Sequence, residues 1–176
     1  SGSVVGVWVG SAIGVPNITN AGSGQLNLTG ISYDAVSQNA GILAPMGVSF
    51  YNNASGNINI FGSAVSGPGL RFSSDTTISN SLSGSLNLQA VSSGSNGYKA
   101  IWGAGNLNLL NNGNGSLNVS GVSSATGFDA EGFYVSGNLS VFNNGALGNM
   151  VLFGAANSSY FSSGVKVGGA LDITSN

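Results

Sequence analysis

The stretch Gly132-FYVSGNLSVF-Asn143 places apolar residues at every second position on either side of a Ser-Gly pair, and this pattern recurs along the chain. Such alternation is typical of a strand with one buried face. Six windows of this kind align without a gap, and their first residues lie 35, 28, 31, 32 and 32 residues apart. The other windows are Gly6-VWVGSAIGVP-Asn17, Gly41-ILAPMGVSFY-Asn52, Gly69-LRFSSDTTIS-Asn80, Ala100-IWGAGNLNLL-Asn111 and Gly164-VKVGGALDIT-Ser175.

A second block of alternating residues lies between successive windows. Each window predicts two short strands and each block predicts a third, so one repeat of about 32 residues contains three strands. Gly and Asn are concentrated between the strands, where tight corners favour them. The blocks are Gly24-QLNLTG, Gly56-NINIFG, Gly84-SLNLQA, Gly115-SLNVSG and Gly148-NMVLFG.

Three strands that close one turn and stack on the next turn predict an all-β protein, a right-handed parallel β-helix (β-solenoid) of about five rungs. Residues 1–176 would form a single segment of a longer filament. An up-and-down barrel or a sandwich is the alternative, but neither requires the same corner residue in every turn. The inward positions include Ile13, Val15, Leu107, Leu109, Leu139 and Val141, and the predicted corner ladder is Asn17, Asn52, Asn80, Asn111 and Asn143.

The composition excludes several classes of function. The chain has 30 Gly, a hydrophobic content of 41%, a net charge of −2, and neither Cys nor His. A thiol nucleophile, a His-based triad and an ordinary zinc site are therefore excluded, and no cofactor or metal is expected. The absence of a basic field argues against nucleic acid as a partner. No signal peptide is expected within these residues, because Ser1 begins directly in solenoid-like sequence, and no apolar run is long enough to span a bilayer.

Three strings, GSLNLQAVSSGSNGYKAIW, GSLNVSGVSSATGFDAEGFYVSGNLSVFNN and GVKVGGALDITSN, resemble the filament repeats of two-partner-secretion exoproteins. That group includes filamentous haemagglutinin-like adhesins, high-molecular-weight adhesins and the stalks of contact-dependent inhibition. The resemblance implies a secreted or bacterial cell-surface protein that folds outside the cell. Its expected partners are a cell-surface receptor, either an outer-membrane protein or a host glycan or protein, and the flanking rungs of the same chain. The variable loops leave open whether this segment binds or is only shaft.

The third position of each window should point outward, because it lies between two inward positions. Stacked rung on rung, these residues predict an aromatic and basic stripe on one face of the solenoid. Amphipathic aromatic residues and Arg are enriched at binding hot spots, whereas the structural alternative is that such side chains simply stack on each other. The stripe consists of Trp8, Leu43, Arg71, Trp102, Tyr134 and Lys166.

The loops between each second block and the next window are the other candidate binding surface, because they vary in length and content. The candidate residues there are Tyr33, Asp34, Phe128, Asp129 and Glu131. Asp129 and Glu131 are also the carboxylates that a carbohydrate-active β-helix enzyme or a calcium site would use. The simpler interpretation is that these two, like Asp34, Asp75 and Asp172, are solvated surface carboxylates.

These observations leave three hypotheses open. The first is an extracellular adhesion or receptor-binding segment of a secreted bacterial filament. The second is a passive structural shaft. The third is a carbohydrate-active enzyme, which the sequence does not favour, because the chain has only Arg71, Lys99 and Lys166 to neutralise developing charge.

Overall fold

The computed structural model describes residues 5–10, 14–33, 39–144, 149–158 and 161–175. Over these ranges the chain forms strands and contains no helix, and therefore no helix that could cross a membrane. The strands are β1 (Val5–Trp8), β2 (Asn17–Asn20), β3 (Leu26–Ser32), β4 (Ala40–Ala44), β5 (Ser49–Asn52), β6 (Ile58–Ala64), β7 (Leu70–Phe72), β8 (Thr76–Asn80), β9 (Leu86–Ser92), β10 (Ile101–Gly103), β11 (Leu107–Asn111), β12 (Leu117–Ser123), β13 (Glu131–Val135), β14 (Leu139–Asn143), β15 (Met150–Ala156), β16 (Ser163–Val167) and β17 (Leu171–Ser175).

The strands form three parallel sheets, and the chain visits each sheet once in every coil. The first sheet has the order β1-β4-β7-β10-β13-β16, the second β2-β5-β8-β11-β14-β17, and the third β3-β6-β9-β12-β15. Each strand pairs with its equivalent in the neighbouring coils, so the protein is a β-solenoid of about five turns with about 32 residues per turn. A barrel or a sandwich is therefore excluded.

The pairing confirms the alignment of five of the six windows and corrects the first. Val7 pairs with Ile42, 35 residues later, whereas Asn20 pairs with Asn52, 32 residues later. Three extra residues therefore lie between β1 and β2. As a result Asn17 pairs with Ser49 and is not a member of the Asn ladder. Val15 is not an inward position of the second sheet, since it precedes β2 and Ile18 pairs with the buried Phe50; Val15 is 48% exposed, and Ile13 lies outside the described residues.

The core is a column of apolar side chains that runs through the middle of the solenoid. The predicted inward residues Leu107, Leu109, Leu139 and Val141 are all buried within it. Burial falls in the last coil, because its strands have a neighbouring coil on one side only among the described residues. The outermost strand β17 accordingly leaves Leu171 about half exposed.

A ladder of buried Asn side chains, here called the inner Asn ladder, follows the corner between the second and third sheets. Nδ2 of Asn52 donates to Oδ1 of Asn80 at 2.7 Å, and the pattern repeats from Asn80 to Asn111 at 2.8 Å and from Asn111 to Asn143 at 2.7 Å. The predicted ladder is therefore confirmed at these four residues. Asn20, Asn52, Asn80 and Asn111 also donate to the backbone oxygen of the Gly four residues later, at Gly24, Gly56, Gly84 and Gly115.

A second ladder lies on the outer face of the third sheet and was not predicted. In this outer Asn ladder, Nδ2 of Asn59 donates to Oδ1 of Asn27, Asn87 donates to Asn59, and Asn118 donates to Asn87, each at 2.8 Å. Here the later coil donates to the earlier coil. In the inner Asn ladder the earlier coil donates to the later one. The two ladders therefore point in opposite directions along the solenoid.

The corner between the third and first sheets brings two backbones into close contact. A Cβ atom on Gly62 would clash with the backbone oxygen of Gly69, and a Cβ on Gly69 would meet the oxygen of Gly62 at 2.5 Å. The same reciprocal contact joins Gly30 to Gly41, Gly121 to Gly132 and Gly154 to Gly164. In the remaining coil both equivalent positions are alanine, Ala90 and Ala100, and both are buried. The two facing positions at this corner are therefore both glycine in four coils and both alanine in the fifth.

Candidate functional site

The predicted stripe exists as a continuous line of paired residues on the first sheet, here called the outward column. Trp8 pairs with Leu43, Leu43 with Arg71, Arg71 with Trp102, Trp102 with Tyr134, and Tyr134 with Lys166. Adjacent strands lie about 4.8 Å apart, so neighbouring side chains of the column are in contact range. Trp8 is 62% exposed and Lys166 is also exposed, whereas the four residues between them are half-buried.

Arg71 and Trp102 form the centre of the outward column. The guanidinium carbon of Arg71 lies over the indole ring of Trp102, 4.5 Å from its centroid, which is a cation–π contact. Nε of Arg71 is buried and has no hydrogen-bond partner among the described residues. Desolvation by burial lowers the pKa of Arg71 from its ordinary value, because loss of water disfavours the charged guanidinium.

The loop carboxylates Asp129 and Glu131 lie beside the other end of the outward column. Nζ of Lys166 is 3.0 Å from Oδ1 of Asp129 and 3.0 Å from Oε1 of Glu131. Nζ of Lys99 is 3.2 Å from Oδ2 of Asp129 and 3.1 Å from Oε2 of Glu131. We call these four residues the ion cluster. The stripe and the loop, which the sequence offered as separate candidate surfaces, therefore meet here.

The interpretation of Glu131 as a solvated loop carboxylate is wrong. Glu131 begins β13 and is fully buried, because its place in the repeat is the inward position next to the corner. Its Oε2 makes no hydrogen bond in the described structure, so the nearby Lys99 ammonium acts on it as an ion-pair partner. A buried carboxylate is stable only when such partners compensate for the lost water. Asp129 remains 54% exposed at its side chain.

The local backbone aims Asp129 at the two lysines. Its φ is 62°, in the left-handed region that Asp adopts more readily than most residues. Lys99 belongs to the coil before Asp129, and its Nζ also donates to the Asp129 backbone oxygen at 3.0 Å. Lys166 comes from the coil after it, so the ion cluster ties three successive coils together.

The electrostatics of the ion cluster follow from these contacts. A hydrogen bond with the Glu131 carboxyl, followed by one with Lys166, lowers the pKa of Asp129 to about 2. Burial raises the pKa of Glu131, and its hydrogen bond with Asp129 acts in the same direction. Hydrogen bonds to Asp129 and then Glu131 raise the pKa of Lys166 to about 12. Two adjacent carboxyl groups thus share the two cations unequally, with Asp129 holding its charge more strongly.

Tyr134 connects the two halves of the outward column. The ammonium of Lys166 lies 5.3 Å from its ring centroid and that of Lys99 lies 5.8 Å away. Both distances allow a cation–π attraction. Tyr134 therefore has an internal role in the packing of this face, in addition to any contact with a partner.

The remaining predicted residues are dispersed. Tyr33 is 80% exposed and Phe128 is 64% exposed, and both lie in the variable segments between the third and first sheets, which run 33–39, 65–69, 93–100, 124–130 and 157–162. Asp34 lies outside the described residues. Asp75 accepts a hydrogen bond from the backbone nitrogen of Asn106 at 2.8 Å, and Asp172 is exposed on β17. Within the described ranges, no cluster of three or more His, Cys, Asp or Glu could hold a metal ion.

Two features of the structure, the ion cluster and the outer Asn ladder, escaped the sequence analysis, and the sequence contains a signal for each of them. Lys99 precedes its window by one position, and Glu131 precedes the following window by one position, so the repeat stacks them in adjacent coils. The outer Asn ladder has a similar signal in the Asn of the Leu-Asn-Leu and Ile-Asn-Ile strings.

A comparison of the chain with protein-family models, with curated proteins and with solved structures finds no match. The fold and the repeat define the chain as a parallel β-solenoid repeat protein.

Proposed function

We propose that this chain is an extracellular adhesion or receptor-binding segment of a secreted bacterial β-helical filament. Its resemblance to two-partner-secretion exoproteins supports the filament, and the partner would be a cell-surface receptor. The observation that carries the binding role is the outward column, which concentrates both Trp residues of the chain and its single Arg on one sheet. Trp, Tyr and Arg are the side chains most enriched at binding hot spots.

The proposed contact surface is the part of the outward column that runs from Trp8 to Tyr134. Lys166 is excluded from it, because its ammonium is held by Asp129 and Glu131. A salt-bridged ammonium offers little net charge to a partner. The surface is therefore aromatic, with one cation near its centre.

A passive shaft is the second candidate function, and one specific observation favours it. The cations near Trp102 and Tyr134 occupy positions over these rings, so the column also holds itself together. An outward column with a purely structural role would show the same cation–π contacts. The carbohydrate-active enzyme has less support, because the nearest pair of carboxylates, Asp129 and Glu131, is neutralised by two lysines.

Binding of the labelled chain to intact bacterial and host cells tests the proposal. The double variant Trp102→Ser/Tyr134→Ser should weaken binding by about 2–4 kcal/mol, the scale of aromatic hot spots. The matched control is Tyr51→Ser/Phe142→Ser, which removes two half-buried outward rings from the second sheet. Circular dichroism and melting temperature establish that each variant is folded.

A loop variant separates the two surfaces. If Asp129→Asn/Glu131→Gln abolishes binding while the Trp102/Tyr134 variant does not, the binding surface lies in the loops. If every folded variant binds cells as the wild type does, or if the wild type binds none, the passive shaft is the better description and the binding role is rejected.

A further inference from the structure

Arg71 differs from the other two basic residues of the chain in having no ion-pair partner among the described residues. Lys99 and Lys166 each form ion pairs with both Asp129 and Glu131. In the described part of the molecule Arg71 forms no ion pair and no hydrogen bond, and Asp75, four residues later in the sequence, accepts a hydrogen bond from the backbone nitrogen of Asn106. Among the described residues, the first sheet therefore presents one positive charge without an ion-pair partner, on a chain whose net charge is −2.

The surroundings of Arg71 hold the guanidinium in place. It lies over Trp102 on one side, and its partner in the preceding coil is Leu43. Nε is buried while the residue as a whole is half-buried, so the solvent-facing part is the outer end that carries the two terminal amino groups. Stacking on an aromatic ring restricts the guanidinium before any ligand arrives, which reduces the entropy lost on binding.

A fixed guanidinium with exposed terminal nitrogens is a donor pair for a planar or tetrahedral oxyanion. Arg binds carboxylate and similar anionic groups through two parallel hydrogen bonds, and these charge-assisted bonds are stronger than neutral ones. A partly buried cation without a counter-charge is destabilising, and an anion bound at this position would supply that counter-charge. The chemistry recognised is therefore a carboxylate or a sulfate group.

The strand that carries Arg71 argues against an extended acidic peptide as the ligand. β7 lies inside the first sheet, between β4 and β10, and its backbone pairs with both neighbours. A peptide strand cannot add to a sheet at such a position and would leave its own amide groups unpaired. A ligand that offers hydroxyl and carboxylate or sulfate groups has no such requirement. The exposed Trp8, two coils from Arg71 in the same column and so roughly 10 Å away, provides a second ring for contact.

The geometry points to Arg71 as an oxyanion site for an acidic polysaccharide, with one carboxylate or sulfate on the guanidinium and a sugar ring against the exposed Trp8. This inference rests on the proposed function and names its ligand class. A ligand of this kind is recognised by one positioned cation, and not by the polybasic field that nucleic acid would require.

Titration of the purified chain with four polymers tests the site. Polygalacturonate carries carboxylates, dextran sulfate carries sulfates, neutral dextran carries neither, and polyglutamate is the acidic peptide. We expect at least one acidic polysaccharide to bind and neutral dextran not to bind. Arg71→Gln should weaken that binding about ten- to hundredfold. The affinity of Arg71→Lys should lie between those of Arg71→Gln and the wild type, because lysine keeps the charge but cannot donate two parallel hydrogen bonds.

Lys166→Gln is the matched control, because it removes the same unit charge from the same face at a position that is already neutralised. It should change binding less than about twofold.

Equal losses of affinity in Arg71→Gln and Lys166→Gln would mean unspecific attraction and would overturn the site. Binding of polyglutamate as tight as that of the polysaccharides would overturn the ligand class. If no acidic polymer binds while the wild type still binds cells, this inference fails and the proposed function stands. If cell binding is absent as well, the proposed function fails with it.

Discussion

Asn80 donates a hydrogen bond of 2.8 Å from its Nδ2 to Oδ1 of Asn111 in the next coil. The same nitrogen donates to the backbone oxygen of Gly84 and thereby closes the corner of its own coil. Both Asn side chains are fully buried. One amide group therefore contributes both to the shape of a turn and to the stacking of turns.

Loss of this amide should destabilise the solenoid. In Asn80→Ala the buried oxygens of Asn111 and Gly84 lose a donor, and a buried acceptor without a partner costs about 1–3 kcal/mol. Asn87→Ala removes a rung of the outer Asn ladder, where water can replace the lost bonds, and should cost less than about 1 kcal/mol. Urea denaturation followed by circular dichroism measures both. Equal effects would mean that the inner Asn ladder has no special role in stability.

The alternation within β11 can be tested with two adjacent leucines. Leu109 is fully buried, whereas Leu110 points outward and is half-buried. Leu109→Asp places an unpaired charge in the core, which costs several kcal/mol against a marginal net stability, so the chain should lose its fold. Leu110→Asp should keep its β-type circular dichroism spectrum. A folded Leu109→Asp protein would contradict the inward assignment of this residue.

At the corner of the third and first sheets, a glycine pair should not tolerate a Cβ on one of its members alone, because the one coil with side chains there carries alanine at both positions, Ala90 and Ala100. Gly62→Ala places a methyl group against the Gly69 backbone and should cost about 1–3 kcal/mol, as overpacking does elsewhere. Gly24 is the control, because a Cβ there meets no atom within 4 Å. Gly24→Ala should change the free energy of unfolding by less than about 0.5 kcal/mol. Similar melting temperatures for the two variants would show that the corner can widen without cost at any coil.

The ion cluster should make stability depend on pH at both extremes. The lowered pKa of Asp129 means that its contribution is complete above pH 3.8 and is lost as the pH falls towards about 2. The raised pKa of Lys166 means that its contribution is complete below pH 10.5 and is lost as the pH rises through about 12. Glu131 has the opposite sign to Asp129, because its raised pKa favours the protonated folded form.

Single variants separate these contributions. The difference in melting temperature between the wild type and Asp129→Asn should shrink from pH 3.8 to about pH 2. The difference between the wild type and Lys166→Gln should shrink from pH 10.5 to about pH 12. Differences that stay constant over these intervals would mean that the two groups contribute no ionic stabilisation.

The repeat allowed the fold and the outward column to be predicted, because stacking places equal positions of successive windows side by side. Leu109 and Trp102 follow from that rule alone. Asn17 was misassigned because an ungapped alignment cannot distinguish it from Asn20, and only the pairing with Asn52 reveals the three extra residues. The burial of Glu131 was missed because a carboxylate at an inward position needs cations to compensate for its lost water, and these cations come from the coils before and after it.

That Arg71 has no ion-pair partner in the described part of the chain could not be predicted either. It depends on which of the few carboxylates the folded chain brings near each cation, and two of them are taken by Lys99 and Lys166. The receptor and the extracellular location stay predictions.

The opposite directions of the two Asn ladders have a consequence for the length that such a solenoid can reach. Aligned amide dipoles add up along an α-helix and leave opposite partial charges at its ends. In this chain the amides of the inner Asn ladder point towards later coils and those of the outer Asn ladder towards earlier coils. The dipoles of the two ladders therefore oppose each other, so each added coil brings hydrogen bonds from both ladders without their amides all aligning in one direction along the axis.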